Sequence, residues 1–409
     1  MNSGFRTSFL VMAICAHASV SMAGQPRLNP KPEIVARIGA LKPNESALLG
    51  DATVIGDFND TARQFNLHQT GPRARDFTLK MCWAPDRNRV LFCGANHGVP
   101  HRLNDVWEFD LPSLSWILLY APDLPRGYTD LGKDTSDVEF RDGILYTRRG
   151  GPAVIAHTWW GLTYDPIHKR LLFMNTWVTQ RKQAVIKLGG DPADLYEGPP
   201  LWAFSPGEKQ WQPFKARMPY PRPIFGGMLE FVPELGGSIW HANNWQLRAT
   251  WLHDYETGEW RDLKANGDPD VFQSQSPRPE QIGYYDPKRQ LLIVQRHHDT
   301  HHYEVKKNSW TKVLTGDPDD GRTPYGHDAR SVFYHDSVSG HGMLVQFQTN
   351  TIWVYDPDKI SWTRQTPKGD AMPTGRKRLA YVDSAMNVVV VIEGTRIWAY
   401  RYRDVAAHK

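Results

Sequence analysis

The sequence predicts an all-β chain folded as a six-bladed β-propeller, and three observations carry that expectation. First, tryptophans nine positions apart recur as Trp107 and Trp116, Trp202 and Trp211, Trp251 and Trp260, and Trp353 and Trp362. His301 stands in the first slot before Trp310, and Trp398 opens a last, incomplete copy. Second, each pair follows a stretch of one kind: WAPDRNRVLF, YDPIHKRLLF, FVPELGGSIW, YDPKRQLLIV, YHDSVSGHGMLV and YVDSAMNVVVV. An aromatic opens it, a Pro, Asp or Gly cluster turns it, and β-branched or Leu residues close it, which are hairpin signals. Third, the last three complete intervals between successive second tryptophans are 49, 50 and 52 residues, while the earlier one, Trp116 to Trp211, is 95. Two hairpins per repeat give four strands, the content of one propeller blade.

The elements follow in chain order. Residues 1–23 read as a secretory signal: Arg6 gives the basic start, Phe9 to Ala18 the short apolar stretch, and Ser21-Met22-Ala23 the small residues of a cleavage site. That stretch is too short to span a bilayer, and no later segment is long and apolar enough to do so. Residues 24–50 form a Pro-rich extension expected to pack loosely outside, and residues 51–409 the propeller as a single domain. In WEFDLPSLSW a four-residue turn after Asp110 puts Trp116 opposite Phe109 and diagonal to Trp107, so large rings fill the wedge between neighbouring sheets. Asp at that turn is suited to bonding local amides. Two insertions, Asp123 to Pro152 and Thr179 to Pro200, swell the second repeat. DVEFRDGILYTRR within the first keeps seven blades as the alternative count. The last repeat lacks an outer strand, so an N-terminal segment must close the ring, and Thr53 to Leu67 is the candidate.

NDVWEFDLPSLSW, TIWVYDPDKISW and YDPKRQLLIV resemble the repeats of kelch-type propellers, the group that includes the galactose oxidase central domain. The resemblance covers roughly residues 76 to 404. The paired glycines usual after the second strand are largely missing, with CGAN at Cys93–Asn96 the nearest survivor. A copper-radical oxidase on this fold would need a cross-linked Tyr and Cys beside His ligands, which the cysteines do not favour. A fold by itself assigns no activity.

Composition narrows the classes. A net charge of +4 over 409 residues gives no electrostatic reason to expect nucleic acid. No G-x-G-x-x-G or G-x-x-x-x-G-K-[ST] is present. The expected product is a secreted or periplasmic monomer without a membrane span. Beyond Cys15 in the leader, only Cys82 and Cys93 remain. They flank one hairpin, and export favours oxidation, so a Cys82–Cys93 disulfide is expected, with two buried thiols as the alternative.

The repeat separates two faces. The turns within the first hairpins are generic turn residues. The connections between second and third strands differ in kind: ANHGVPHRLN brings His97, His101 and Arg102, NTWVTQRKQ brings Trp177, HANNWQLR brings His241, Asn244 and Trp245, and QRHHDTHH brings Arg296, His298 and His301. Tyr325 opens the next repeat. Arg offers a bidentate fork to carboxylate or sulfate, and Trp a platform for a sugar face. The expected partner is an acidic polysaccharide or oligosaccharide, bound by His101, Arg102, Trp177, Asn244, Trp245 and Arg296. If the site is catalytic, β-elimination on a uronic-acid glycan needs a base (His97, His241 or His298), an acid (Tyr325) and Arg beside the carboxylate. This weaker resemblance is to ulvan-lyase-type propellers. A divalent metal at the His-rich face is a further candidate, although side chains alternating along QRHHDTHH put no four imidazoles on one face. No cofactor is otherwise expected. A non-catalytic protein-interaction scaffold is the remaining alternative.

Overall fold

The computed structural model describes residues 28–403 apart from 74, 76, 77, 95–101, 128, 156, 157, 175–178, 200, 223–226, 245, 246, 269–280, 328 and 376, and leaves aside the side chains of 243, 244, 247 and 248. The leader expected over residues 1–23 lies outside the described residues.

Six antiparallel sheets form, each numbered here as a blade from its innermost strand outward. Blade 1 is Cys82–Ala84, Arg89–Phe92, Val106–Asp110 and Ser115–Tyr120. Blade 2 is Leu162–Asp165, Arg170–Met174, Leu201–Ser205 and Gln210–Phe214. Blade 3 is Met228–Val232, Gly237–Asn244, Leu247–Asp254 and Trp260–Asp262. Blade 4 is Ile282–Asp286, Leu291–Arg296, Asp299–Glu304 and Ser309–Leu314. Blade 5 is Ser331–Asp336, His341–Gln346, Thr351–Asp356 and Ser361–Gln365. Blade 6 is Arg378–Asp383, Val388–Glu393 and Arg396–Arg401, completed by Glu45–Asp51. The first strands touch in the order of the blades, and blade 6 returns to blade 1. The architecture is therefore a closed six-bladed β-propeller.

The closing strand lies upstream of the expected one. Glu45–Asp51 pairs antiparallel with Arg396–Arg401, Glu45 opposite Arg401 and Asp51 opposite Arg396. Thr53–Gly56, the start of the expected segment, instead adds a parallel fifth strand outside blade 1, Thr53 opposite Ser115. The N-terminal run thus straps two adjacent blades. Ala47, Leu49 and Ala52 in it are buried, as are Ile34 and Ile38 of the helix Pro32–Gly39 before it. The extension is consequently part of the packed core rather than a loose appendage.

The tryptophan pairs do what their spacing demands. Trp116 lies opposite Phe109, with ring centroids 4.9 Å apart, and Trp107 meets Trp116 edge-on at 6.3 Å. Blade 2 repeats this with Phe204–Trp211 at 5.1 Å and Trp202–Trp211 at 6.3 Å. Each ring buries 150–250 Å², roughly 4–6 kcal/mol of transfer free energy before the entropy of ordering is counted. Two of the outer tryptophans also latch neighbouring blades. Trp310 donates from Nε1 to Thr250 Oγ1 of blade 3, and Trp362 to Thr300 Oγ1 of blade 4, each at 2.9 Å. The turn aspartates are structural: Asp165, Asp286, Asp336 and Asp383 accept backbone amides in the first-hairpin turns, and Asp110, Asp254 and Asp356 do so in the second.

The two insertions build no seventh blade. Val138–Arg141 and Ile144–Thr147 form a two-stranded hairpin outside the ring. It shares a small core (Leu131, Val138, Leu145, Val185 and Leu195 among its members) with the helix Arg181–Lys187 of the second insertion.

The expected disulfide is absent. Cys82 and Cys93 are free and buried. Register explains this: Cys82 lies opposite Leu91, which leaves Cys93 diagonal to it, and diagonal strand neighbours lie farther apart than the 4.4–6.8 Å Cα separation a disulfide spans. Burial pushes the Cys82 thiol up to about 12 and that of Cys93 well above its ordinary value.

Candidate binding face

First strands run toward the hairpin-turn end of the ring, so second-to-third connections and blade-to-blade crossings all emerge at the other end. The described parts of both insertions and the His297–His298 turn lie there. Sequence order alone brings these groups to one rim once the ring closes.

The best-defined part of that rim spans blades 4 and 5. His297 and His298 form the two-residue turn between Leu291–Arg296 and Asp299–Glu304. His297 has φ +51°, the left-handed region where a two-residue hairpin favours Asn or Gly. Its backbone is clipped to Gly326 by two bonds, His297 N to Gly326 O at 3.0 Å and Gly326 N to His297 O at 2.7 Å. That clip seats Tyr325 against both imidazoles, 5.4 Å from the ring of His297 and 5.3 Å from that of His298. His327 is 5.8 Å from the Tyr325 ring on the same chain segment, and the exposed Arg330 places its guanidinium 6.0 Å from that ring's centre. His298 Nδ1 lies 3.3 Å from the carbonyl of Thr323.

Beneath the turn lies a buried polar layer between blades 3 and 4. Arg296, His301 and His241 are fully buried. His241 packs on Trp310 with ring centroids 4.3 Å apart, and its Nδ1 is 3.2 Å from Thr250 Oγ1. Thr250 Oγ1 accepts from Trp310, and when Asp268 is ionised it gives its proton to that carboxylate, so that His241 then bonds it by donating from Nδ1. Burial, then the charge of Arg296 and the proximity of His301, hold the His241 imidazole well below its usual range. Burial likewise lowers His301 to about 3 and raises Asp268 to about 7. These imidazoles are neutral at pH 7.

The structure thus gathers four of the sequence-predicted groups, His241, Arg296, His298 and Tyr325, across blades 3 to 5. Arg102 stands apart: it is paired with Asp130 of the first insertion. Its neighbours Arg126 and Arg149 are likewise held, by Asp137 and by Asp123. These cations serve the insertion, and the basic character of that side of the rim is largely neutralised. His97, His101, Trp177 and Trp245 lie outside the described residues, as does the side chain of Asn244. Alternation along blade 4 separates the imidazoles as its period requires: His302 faces blade 5, its Nε2 2.9 Å from Tyr355 Oη, while His301 faces the blade 3 side. Among the described residues no three of His, Cys, Asp or Glu converge as a metal-binding set.

Sequence reasoning missed the central channel. A buried ion pair, Lys80 with Glu230, plugs it, with Lys80 Nζ also donating to Leu229 O at 2.8 Å and lying 5.4 Å from the Trp160 ring centre. Trp160 Nε1 donates to Gly283 O at 2.8 Å, and Tyr334 Oη accepts from Met81 N at 2.8 Å. Beyond the plug an aromatic-walled cavity of about 380 Å³ opens at the hairpin-turn end. Its signal in the sequence was the aromatic that opens nearly every first hairpin.

No protein-family model matches the chain, and no characterised protein sequence matches it. Geometry therefore carries the functional argument alone.

Proposed function

We propose that the chain is an exported kelch-type propeller that binds an acidic glycan at the rim of blades 4 and 5. The observation that carries this reading is the His297-His298 turn. Left-handed backbone recurs at turn positions of this fold such as Lys169, Gln290 and Ile360, and at His297 the clip to Gly326 uses it to set two imidazoles beside a tyrosine. Tyr325 and the imidazoles offer flat faces to a sugar ring. Arg330 is the exposed cation beside them, Lys377 is exposed on the crossing into blade 6, and Arg296 adds its field from below. The leader-like N-terminus supports export, and the repeat spacing supports the kelch assignment.

Calorimetric titration with a polyuronate tests it. Binding is expected to weaken as salt rises, and Tyr325→Ala to weaken it at least about tenfold, the scale of one lost aromatic platform with its ordered neighbours. Equal binding by wild type and Tyr325→Ala, or none by wild type, overturns the reading.

The contact between His298 and Tyr325 favours a second reading, β-elimination. The His298 imidazole would take the C5 proton of a uronate, the C4–C5 double bond would form as the C4–O bond breaks, and Tyr325 would protonate the departing oxygen. Ultraviolet absorbance of the unsaturated product would appear with wild type and vanish with Tyr325→Phe. Glycan binding with no such absorbance leaves a binding protein.

A further inference from the structure

We propose that the central cavity, at the opposite end of the ring from the His-rich rim, is a binding site for a small organic cation of the alkylated ammonium class. The proposal does not rest on the glycan reading.

The walls are aromatic from most directions: Trp83, Tyr164, Phe231, Tyr284, Tyr285 and Tyr381 all line the cavity. Aromatic faces carry partial negative charge and attract cations, most strongly where water is excluded. The rings are also held in place. Tyr164 donates to Asp86 at 2.6 Å and Tyr285 to Glu234 at 2.5 Å, in each case to a turn of the preceding blade. Tyr284 rests over Gly342, where any Cβ would come within 2.7 Å of its hydroxyl, and His335 stacks on it at 5.5 Å. A phenol that gives its proton to a carboxylate has a more electron-rich ring, so these two bonds strengthen the wall they fix.

Charge points the same way. Among the described residues Lys80 is the one cation lining the cavity, and Glu230 neutralises it. Asp86 and Glu234 are exposed residues that accept from the lining Tyr164 and Tyr285, and they have no cationic partner among the described residues. His335 is kept neutral by burial. The volume falls at the small end of the range for ligand pockets, matched to a compact head group rather than a polymer.

The test is calorimetric titration of the full chain with choline and with its uncharged tert-butyl analogue. Choline is expected to bind at least about tenfold tighter than the analogue, the difference a desolvated cation–π site makes. The double variant Asp86→Asn/Glu234→Gln removes the charges while its amide oxygens still accept from Tyr164 and Tyr285, and it is expected to weaken choline at least about threefold and the analogue by less. Tyr325→Ala should leave choline binding as it is, which separates this site from the rim. Failure of choline to bind, equal affinity for the two compounds, or indifference of the double variant overturns the proposal.

Discussion

Replacing Lys80 by Met removes the ammonium from the channel plug and leaves Glu230 behind. Lys80 is 4 % exposed, its partner's side chain 12 %, and the carboxylate also accepts from Trp160 Nε1 at 3.2 Å. Breaking one side of a buried pair costs about 3–5 kcal/mol, because a charge remains in a medium that solvates it poorly. Burial already raises the Glu230 carboxyl, with Lys80 acting against it, so loss of Lys80 raises it further. The sign follows. A carboxyl whose folded value exceeds its unfolded one contributes stability fully present below the unfolded value and lost as pH rises through the folded one. The deficit of Lys80→Met relative to wild type should therefore be widest at neutral pH and shrink toward pH 4.5, the ordinary glutamate value. Urea denaturation across that range measures it, through the midpoint at unchanged slope. Lys80→Met/Glu230→Gln, which removes both charges, should recover most of the loss. A deficit below about 1 kcal/mol, a deficit independent of pH, or a double variant as unstable as the single would refute the buried pair.

Two further outcomes are expected. Gly342→Ala would place its Cβ 2.5 Å from Phe333 Cε2 and 2.6 Å from Tyr284 Cε1, and it should lower stability in urea by about 1–3 kcal/mol through overpacking. Asp268, raised by burial to about 7 from an ordinary 3.8, contributes stability that is full below 3.8 and lost as pH rises through 7. Asp268→Asn should remove that slope, at most about 1.4 kcal/mol per pH unit, from the wild-type stability profile.

The repeat was legible because propeller packing is local and periodic. A ring of tryptophan at fixed spacing, an aspartate that caps its own turn, and a β-branched run that ends a hairpin each need only neighbours a few residues away. Trp116 opposite Phe109 follows from the strand period and one turn length. What was not legible depends on long-range register. Glu45–Asp51 and Thr53–Gly56 are both short and β-prone, and only the geometry of the closed ring decides which of them completes blade 6. The disulfide failed for a related reason: the hairpin was recognised, but its register sets Cys82 against Leu91 and not Cys93. His298 and Tyr325 meet at the rim, while Arg296 and His241 lie buried beneath it. The pairing of Arg102 with Asp130 could not be foreseen, because the fold of the insertion that supplies Asp130 carries no repeat signal. The cavity was overlooked because the aromatics that build it also serve as ordinary strand openers.

Ring closure by the N-terminal strand is the claim on which the rim, the plug and the cavity all depend. The variant Asp51→Cys/Arg396→Cys tests it directly, since these exposed residues face each other across the closing pair and directly opposed strand residues lie within disulfide reach. Under mild oxidation the account predicts a bond within each chain, seen as faster migration on a denaturing gel and a higher unfolding midpoint. Free thiols, or bonds formed only between chains, would contradict it.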